Sequence, residues 1–376
     1  MSNPEGSHKF SFANSHEALN TGPKPVDLTS GYLPFPIPHV VRMVTAQATL
    51  NPELAIQPSG QGLPELRQAA SDKFLREYGV QYDPELVLVT NGSSGALRVV
   101  LSRFNGLFEG SGSDVAKPKL WTPEVGYDYR KIARYSGIGD VGRYPLKNGV
   151  PDVEKIADLF AESEGRNIFL INSPANPTGK IIPEHVLEQL ADVFGEQDIA
   201  VEDNVFAGMT FDGIKHSSIA SHAHEKTIAI GSTSKDGANW QVGWLMAPNP
   251  EIYNELLDIR EATGGVFPPV QLGAATLLNS REDSRAWTRD EMQRKRDLMY
   301  EHLTQIPGYE GIEKPEGGFF YFLPGLPDAE RLKEEAGVLI TDGKKYGLEG
   351  YSRISFAASD EAIVEGVRRM AAYMQS

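Results

Sequence analysis

The sequence predicts an α/β protein with a large domain built on a mostly parallel sheet and a smaller α+β domain. Two observations support this prediction. From about residue 60, short apolar segments alternate with helical patterns, which is typical of parallel strands covered by helices on both faces. The chain also has 376 residues, which is long for one hydrophobic core, so two domains are the natural expectation.

The strands and helices follow one another in a regular order. A helical pattern over residues 63–79 ends in glycine and precedes the strand LVLVT, residues 86–90, as expected for a helix that stops before a turn. A second helix then opens on the small residues of NGSSGAL. The later strands of this region are the apolar segments PKLWT, NIFLINS, DIAVED and KTIAIGS.

A change of pattern near residue 250 marks the second domain. Long helical segments follow this point, and after them come two strand patterns, GGFFYFL and YSRISFA. We therefore predict an N-terminal arm that joins the small domain over residues 1–45, a large domain over 46–265 and a small C-terminal domain over 266–376.

The composition narrows the class of function. A formal net charge of −15 argues against nucleic acid or an anionic membrane as the main partner. The chain has no cysteine and its eight histidines form no HExxH pattern, so we predict no disulfide, no thiolate nucleophile and no metal site. We find neither a signal peptide nor an apolar segment near the roughly 20 residues that a membrane span needs. We therefore expect a cytoplasmic protein.

Five residues of chemical interest each follow the carboxyl end of a predicted strand. They are Ser93, Tyr127, Asn176, Asp203 and Lys235. Ligands bind at this edge of open α/β sheets, so we expect these residues to form one site.

The lysine and the aspartate each have a structural and a functional interpretation. Lys235, in the segment GSTSK, is either a solvated surface lysine or a desolvated amine that forms a Schiff base. Asp203, at the end of an apolar strand, either caps the next turn or pairs with a pyridinium nitrogen, which would offset the penalty for burying a carboxylate.

Three further motifs have the same two interpretations. The segment NGSSGAL offers free N–H groups to a phosphate, although many helices begin this way. Asn176, in SPANPTGK, belongs to a plain turn or presents its amide to a ring oxygen. Arg353, in YSRISFA, is a surface arginine or a bidentate partner for a carboxylate.

As a set, these motifs resemble the class I/II aminotransferases, which are pyridoxal 5'-phosphate (PLP)-dependent enzymes of fold type I. The intervals of 27 residues from Asn176 to Asp203 and 32 residues from Asp203 to Lys235 suit this family, and the resemblance spans nearly the whole chain. It implies the aspartate aminotransferase-like fold, PLP as cofactor, a small domain that closes over the substrate, and a homodimer with active sites at the subunit interface.

The resemblance also implies a role for each residue at the ring of the cofactor. Lys235 would hold the cofactor as a Schiff base and act as general acid and base at the substrate Cα. Asp203 would pair with the pyridine nitrogen, and Asn176 would bond the ring oxygen. Tyr127 would stack on the ring, the alternative being a packed core aromatic.

Other residues are assigned to the phosphate and to the substrate. The phosphate would be held by Gly92, Ser93, Ser94 and Ser232, and Ser234 completes the cofactor-binding set. Arg353 would bind the substrate carboxylate, with Asn176, Gly31 and Tyr32 beside the substrate. We also expect an aromatic pocket wall formed by Tyr32, Phe35, Tyr127, Tyr129 and Phe319.

Three positions depart from the family pattern. The chain is two residues shorter after the lysine and has Gln241 nearest the place of a phosphate-binding arginine. Phe206 and Gln57 replace two tyrosines that contact the cofactor in relatives. The segments GSTSK, DNVFAG and PEVGYDY resemble those of an outlying aminotransferase subgroup that also lacks the arginine. We therefore still expect PLP to bind.

We predict a PLP-dependent aminotransferase that acts on an α-amino acid or an amino-acid-derived substrate through Cα deprotonation. A lyase, replacement enzyme or cyclase of specialised biosynthesis would share this first step and is the alternative. A non-catalytic, effector-binding domain of a transcription regulator is a third hypothesis. It is disfavoured because only about 45 residues precede the core helix and they have no basic helix-turn-helix pattern.

Overall fold

The computed structural model describes residues 24–55, 60–105, 118–280 and 282–375. The strands in these ranges are β1 Val26–Asp27, β2 Val87–Asn91, β3 Lys119–Pro123, β4 Val141–Tyr144, β5 Leu146–Lys147, β6 Val150–Pro151, β7 Asn167–Asn172, β8 Ile199–Asp203, β9 Thr227–Ser232, β10 Val242–Met246, β11 Phe320–Pro324, β12 Val338–Leu339, β13 Thr341–Asp342 and β14 Tyr351–Ser355. The helices are α1 His39–Thr49, α2 Pro64–Tyr78, α3 Gly92–Arg103, α4 Arg130–Tyr135, α5 Val153–Ala161, α6 Glu184–Val193, α7 Ala220–Ala223, α8 Pro250–Glu261, α9 Pro268–Leu278, α10 Glu282–Leu303, α11 Ala329–Arg331 and α12 Asp360–Met374.

The main sheet has the strand order β2-β10-β9-β8-β7-β3-β4. Its strands are parallel except β10, which runs antiparallel to both β2 and β9. Every residue of β7, β8 and β9 is buried, because helices cover both faces of the sheet. The predicted α/β class with a mostly parallel sheet is confirmed.

Strand β10 is the part of this sheet that the alternating pattern does not predict. It follows β9 after one turn of 3-10 helix, Thr233–Lys235, and a short loop. No α-helix separates the two strands, so the chain returns antiparallel instead of crossing over. By contrast, the predicted helix over residues 63–79 is found as α2, and Gly79 ends it with a left-handed φ of 71°.

A second, three-stranded antiparallel sheet with the order β11-β14-β13 contains the two strand patterns predicted after residue 250. An apolar cluster joins it to α10, α12 and the N-terminal segment, and Leu28, Leu303 and Val367 are among its buried members. β1 pairs with β12 in parallel, which ties residues before α1 to this cluster. The boundaries at residues 45/46 and 265/266 remain a prediction.

The described ranges contain neither a membrane-spanning helix nor a cluster of metal-binding side chains. No helix in them combines the length and the hydropathy that crossing a bilayer requires. Within the same ranges, no group of three His, Asp or Glu side chains is arranged to hold a metal ion.

The amino end of α3 packs closely on β10. A Cβ atom built on Gly243 in β10 would lie 2.6 Å from the backbone nitrogen of Ser93, so only glycine leaves room for the first turn of the helix. This contact places the start of α3 beside the carboxyl ends of the neighbouring strands.

We therefore predict that Gly243→Ala destabilises the protein by about 1–3 kcal/mol, the usual penalty for overpacking a well-packed site. The expected result is a lower midpoint of denaturant unfolding, because the added methyl group displaces the first turn of α3. The control is Gly139→Ala, since a Cβ at Gly139 meets no atom within 4 Å. Equal stability of the two variants would contradict the packing described here.

Candidate active site

The carboxyl ends of β2, β3, β7, β8 and β9 open onto one cleft with about 930 Å³ of empty space, part of it open to solvent. All twelve residues that the sequence analysis assigned to a site line this cleft: Gly31, Tyr32, Gly92, Ser93, Ser94, Tyr127, Asn176, Asp203, Ser232, Ser234, Lys235 and Arg353. The strand ends therefore bring together residues that are far apart in the sequence. Which role each one performs remains a proposal.

Lys235 ends the 3-10 turn that follows β9. Ser232 fixes the start of this turn, because its Oγ accepts a hydrogen bond from the Ser234 amide at 3.2 Å and donates to the Val242 carbonyl at 2.9 Å. The Lys235 ammonium donates to the Gly31 carbonyl oxygen at 2.6 Å. Burial, reinforced by the nearby positive charge of Arg353, lowers the pKa of Lys235 to about 8. A useful fraction of the amine is therefore neutral, and nucleophilic, near neutral pH.

Asp203 ends β8 and is 6% exposed. Its Oδ2 accepts a hydrogen bond from the Tyr129 hydroxyl at 3.0 Å, and its Oδ1 accepts one from the Val205 amide at 3.3 Å. Burial raises the pKa of Asp203 to about 6, although these two hydrogen bonds and the charge of Lys235 act in the opposite direction. Such a carboxyl group would be stabilised by a cationic hydrogen-bond donor in the cleft.

Arg353 of β14 brings a second cation to the cleft and is 8% exposed. Its Nη1 donates to Asn176 Oδ1 at 3.1 Å, its Nη2 donates to the Thr29 carbonyl at 2.8 Å, and its guanidinium lies 3.9 Å from the ring centre of Phe320. The buried Nε has no hydrogen-bond partner among the described residues. A buried N–H that lacks an acceptor is costly, so this group is suited to an anionic ligand.

The amino end of α3 forms the other end of the cleft. The first-turn N–H groups of a helix have no acceptor within the helix, and here the hydroxyls of Ser93, Ser94 and Ser234 accompany them. Gln241 lines the same cleft with an unusual left-handed φ of 58°. Lys235 and Arg353 are the only cations among the lining residues that the structure describes. Gln57 lies outside the described residues.

This donor set fits PLP. The amine of Lys235 could bind an aldehyde, and the buried carboxylate of Asp203 could accept a hydrogen bond from a protonated ring nitrogen. The N–H groups at the start of α3 could hold a phosphate with the help of the helix dipole. The residues present therefore match the aldehyde, the ring nitrogen and the phosphate of the cofactor.

The sequence analysis assigned no role to two polar residues of the cleft. Tyr129, expected only as an aromatic wall, donates to Asp203. Asn172 donates from Nδ2 to the Asp203 carbonyl at 2.9 Å and accepts from the Asn176 amide at 3.0 Å. The NIFLINS pattern places Asn172 at the end of a strand, and this position is the sequence feature that could have identified it as a residue of the cleft.

The expected aromatic wall is partly wrong. Tyr32, Tyr127 and Tyr129 line the cleft, whereas Phe35 and Phe319 are absent from its lining. Phe35 packs against Trp287 with ring centres 5.1 Å apart, and Phe319 is fully buried in the core. Phe320, the first residue of β11, lines the cleft in its place.

Known aminotransferases are similar to this chain over nearly its whole length. Residues 23–370 match the model of the family described as aminotransferase class I and II. The aspartate/prephenate aminotransferase of Thermus thermophilus is 29% identical over 373 residues, which cover 96% of this chain and 93% of the relative. The LL-diaminopimelate aminotransferase of Moorella thermoacetica is 29% identical over 374 residues, covering 94% and 92%.

A solved aminotransferase structure is also similar to this chain. Aspartate aminotransferase from Thermus thermophilus with maleate aligns with a TM-score of 0.81 at 28% identity, covering 93% of this chain and 91% of that one. Because these relatives are aminotransferases, the lyase, replacement or cyclase alternative is not favoured. The predicted aspartate aminotransferase-like fold is confirmed. The chain belongs to the class I and II aminotransferases and is a PLP-dependent enzyme of that family.

Proposed function

We propose that this aminotransferase moves an amino group between an α-amino acid, or an amino-acid-derived substrate, and a keto acid, and that it does so in the cleft at the strand ends. The observation that carries the proposal is the meeting of Lys235, Asp203 and Arg353 in that one cleft. An amine, a buried carboxylate and a buried guanidinium are the groups that this reaction needs on the protein side.

Lys235 has two tasks in this proposal. Its amine attaches the cofactor, and when the amine of the substrate replaces it, the free lysine moves the proton at the substrate Cα. When bound, PLP withdraws electrons from that Cα and so makes its proton easier to remove. A pKa of about 8 suits both tasks, because the amine can lose and regain a proton near neutral pH.

Asp203 and Asn176 orient the ring. The Asp203 carboxylate would keep the ring nitrogen protonated. The Oδ1 of Asn176 already accepts a hydrogen bond from Arg353, which leaves its Nδ2 to donate to the ring oxygen. Phe206 is a few residues from Asp203 and has no hydroxyl to add, so Asn176 is the donor that we assign to this oxygen. Tyr127, with 44% of its surface exposed, is free to stack on the ring.

The phosphate would be held by neutral donors. Gly92, Ser93 and Ser94 would supply N–H and hydroxyl groups at the start of α3, and Ser234 would add its hydroxyl. Ser232, whose own proton goes to the Val242 carbonyl, would hold the turn that presents Ser234 to the phosphate. The helix dipole, equivalent to about half a positive charge at the amino end, would replace part of the missing arginine.

Arg353 would bind the α-carboxylate of the substrate, beside Gly31 and Tyr32 of the N-terminal segment. Its unpartnered Nε and its stacking on Phe320 support this role, since a stacked guanidinium keeps its fork in one orientation. The relatives are named for aspartate, prephenate and diaminopimelate. We propose no particular side chain for the substrate of this chain.

We further propose that the enzyme is a homodimer with the cleft near the subunit interface, in the cytoplasmic location expected from the sequence. Four apolar side chains of the N-terminal segment, α1 and the start of α9 are more than two-fifths exposed: Tyr32 41%, Val40 55%, Met43 45% and Phe267 51%. Helices α1 and α9 pack against each other, and large apolar side chains left exposed on such a surface are typical of an interface. Sedimentation velocity should find a dimer, and a fully active monomer would contradict this proposal.

The test of the proposed reaction is a half-reaction in the absence of a second substrate. Addition of a reactive L-amino acid from a panel should convert the spectrum of bound PLP to that of pyridoxamine phosphate, and a keto acid should restore it. Conversion of substrate without any transfer of its amine to the cofactor would instead support a lyase or a cyclase.

Arg353→Gln should lower kcat/KM for the amino acid by about two orders of magnitude, because it removes one partner of a buried charge pair. Most of the change should appear in KM, since Arg353 contacts the carboxylate and not the reacting Cα. The control is Arg368→Gln, which removes an exposed arginine paired with Glu365. Unchanged KM in Arg353→Gln would contradict the assigned role.

A further inference from the structure

We propose that Tyr129 is a positioning residue that holds the carboxylate of Asp203 in its working orientation and keeps it ionised at neutral pH. The hydroxyl of Tyr129 donates to Asp203 Oδ2 at 3.0 Å. Both partners are buried, at 2% and 6% exposure. The hydrogen bond is therefore shielded from water, which increases its effect on the carboxylate.

The surroundings of Tyr129 allow it to act on one atom. It lies just before α4 and its ring meets that of Tyr127 edge-on, with centres 5.0 Å apart. The other carboxylate oxygen of Asp203 accepts from the Val205 amide, and the Asp203 carbonyl accepts from Asn172. With one donor on each oxygen, the plane of the carboxylate is fixed.

In the part of the chain that the structure describes, three ionisable groups face Asp203 from the elements packed around it. Tyr129 and Tyr127 approach from the segment after β3, and Lys235 approaches from the turn after β9. Burial and the charge of Asp203 raise the pKa of the Tyr129 hydroxyl well above its ordinary value, so Tyr129 remains a donor throughout the working pH range. Lys235 is the one cation of the three and acts on Asp203 only through its charge. Among the described residues, the Tyr129 hydroxyl is the side-chain hydrogen-bond donor that offsets burial of the Asp203 carboxylate.

Removing this hydroxyl should raise the pKa of Asp203. Loss of a hydrogen bond to a charged group corresponds to a pKa rise of about one to two units. Starting from about 6, the carboxyl group of a Tyr129→Phe variant would be at least about half protonated at pH 7. A protonated Asp203 cannot hold the proton on the ring nitrogen, and to that extent the inference rests on the proposed function.

The first test uses the cofactor-free protein, so it does not depend on catalysis. The pKa of Asp203 is higher in the folded protein than its ordinary 3.8, so Asp203 contributes stability at low pH that is lost as the pH rises through the folded-state pKa. In the wild type this loss is complete just above pH 6. In Tyr129→Phe it should continue for about one to two pH units more.

The measured quantity is the difference in melting temperature between wild type and Tyr129→Phe, followed from pH 5 to pH 9. We expect the difference to grow between about pH 6 and pH 8. Tyr82→Phe is the matched control, because it also removes a buried tyrosine hydroxyl, one that donates to the Thr227 carbonyl at 2.8 Å. The difference in melting temperature between wild type and Tyr82→Phe should be the same at every pH. In the background of Asp203→Asn, Tyr129→Phe should also lose its pH dependence.

The second test uses the PLP-loaded enzyme and covers the case in which the cofactor-free variant does not fold. The acid limb of the kcat profile should move upward in Tyr129→Phe and stay in place in Tyr82→Phe. A pH-independent loss of stability together with an unmoved acid limb would overturn the inference and leave Tyr129 as a packing residue. A shift in the cofactor-free protein without amino transfer in any variant would instead count against the proposed function alone.

Discussion

The burial of a carboxylate at the end of a central strand is the constraint on which the arrangement of this site depends. Asp203 can remain there only because every oxygen it presents to the protein has a donor. Tyr129 and Asn172 supply two of these donors, and Asn172 also accepts from the amide of Asn176. Asn176 in turn accepts from Arg353. One chain of hydrogen bonds therefore connects the backbone carbonyl of Asp203 with the guanidinium assigned to the substrate carboxylate.

The charges of the cleft are complementary to its assigned ligands. Lys235 and Arg353 are the cations among the described lining residues, and burial lowers the pKa of both. Asp203 is the one carboxylate among the described lining residues. A substrate carboxylate would balance Arg353, and a protonated ring nitrogen would balance Asp203. A phosphate would be held by the N–H groups, hydroxyls and dipole of α3, without a third positive charge near Lys235.

Much of this site could be predicted from the sequence because it lies at strand ends. In a parallel sheet, the residue that follows a strand must lie at the same edge as its counterparts, whatever the distance between them in the sequence. That rule placed Ser93, Asn176, Asp203 and Lys235 together. Arg353 comes from a different sheet, and its place in the cleft followed only from the family resemblance.

The parts that could not be predicted depend on contacts between distant elements. Nothing local distinguishes Tyr129, which bonds Asp203, from Tyr127 two residues earlier. Phe320 lines the cleft where Phe319 was expected. An error of one residue in the expected position is enough to point a side chain to the opposite face. β10 was missed because it breaks the alternation of strand and helix that identified the other strands of the main sheet.

The most direct measurement is to reduce the PLP-loaded protein with borohydride and to map the modified peptide by mass spectrometry. Lys235 is the buried amine of the cleft with a pKa near 8, so the pyridoxyl group should be found on Lys235 alone. Modification of another lysine, or the absence of any modified peptide, would contradict the assignment of this cleft as the cofactor site.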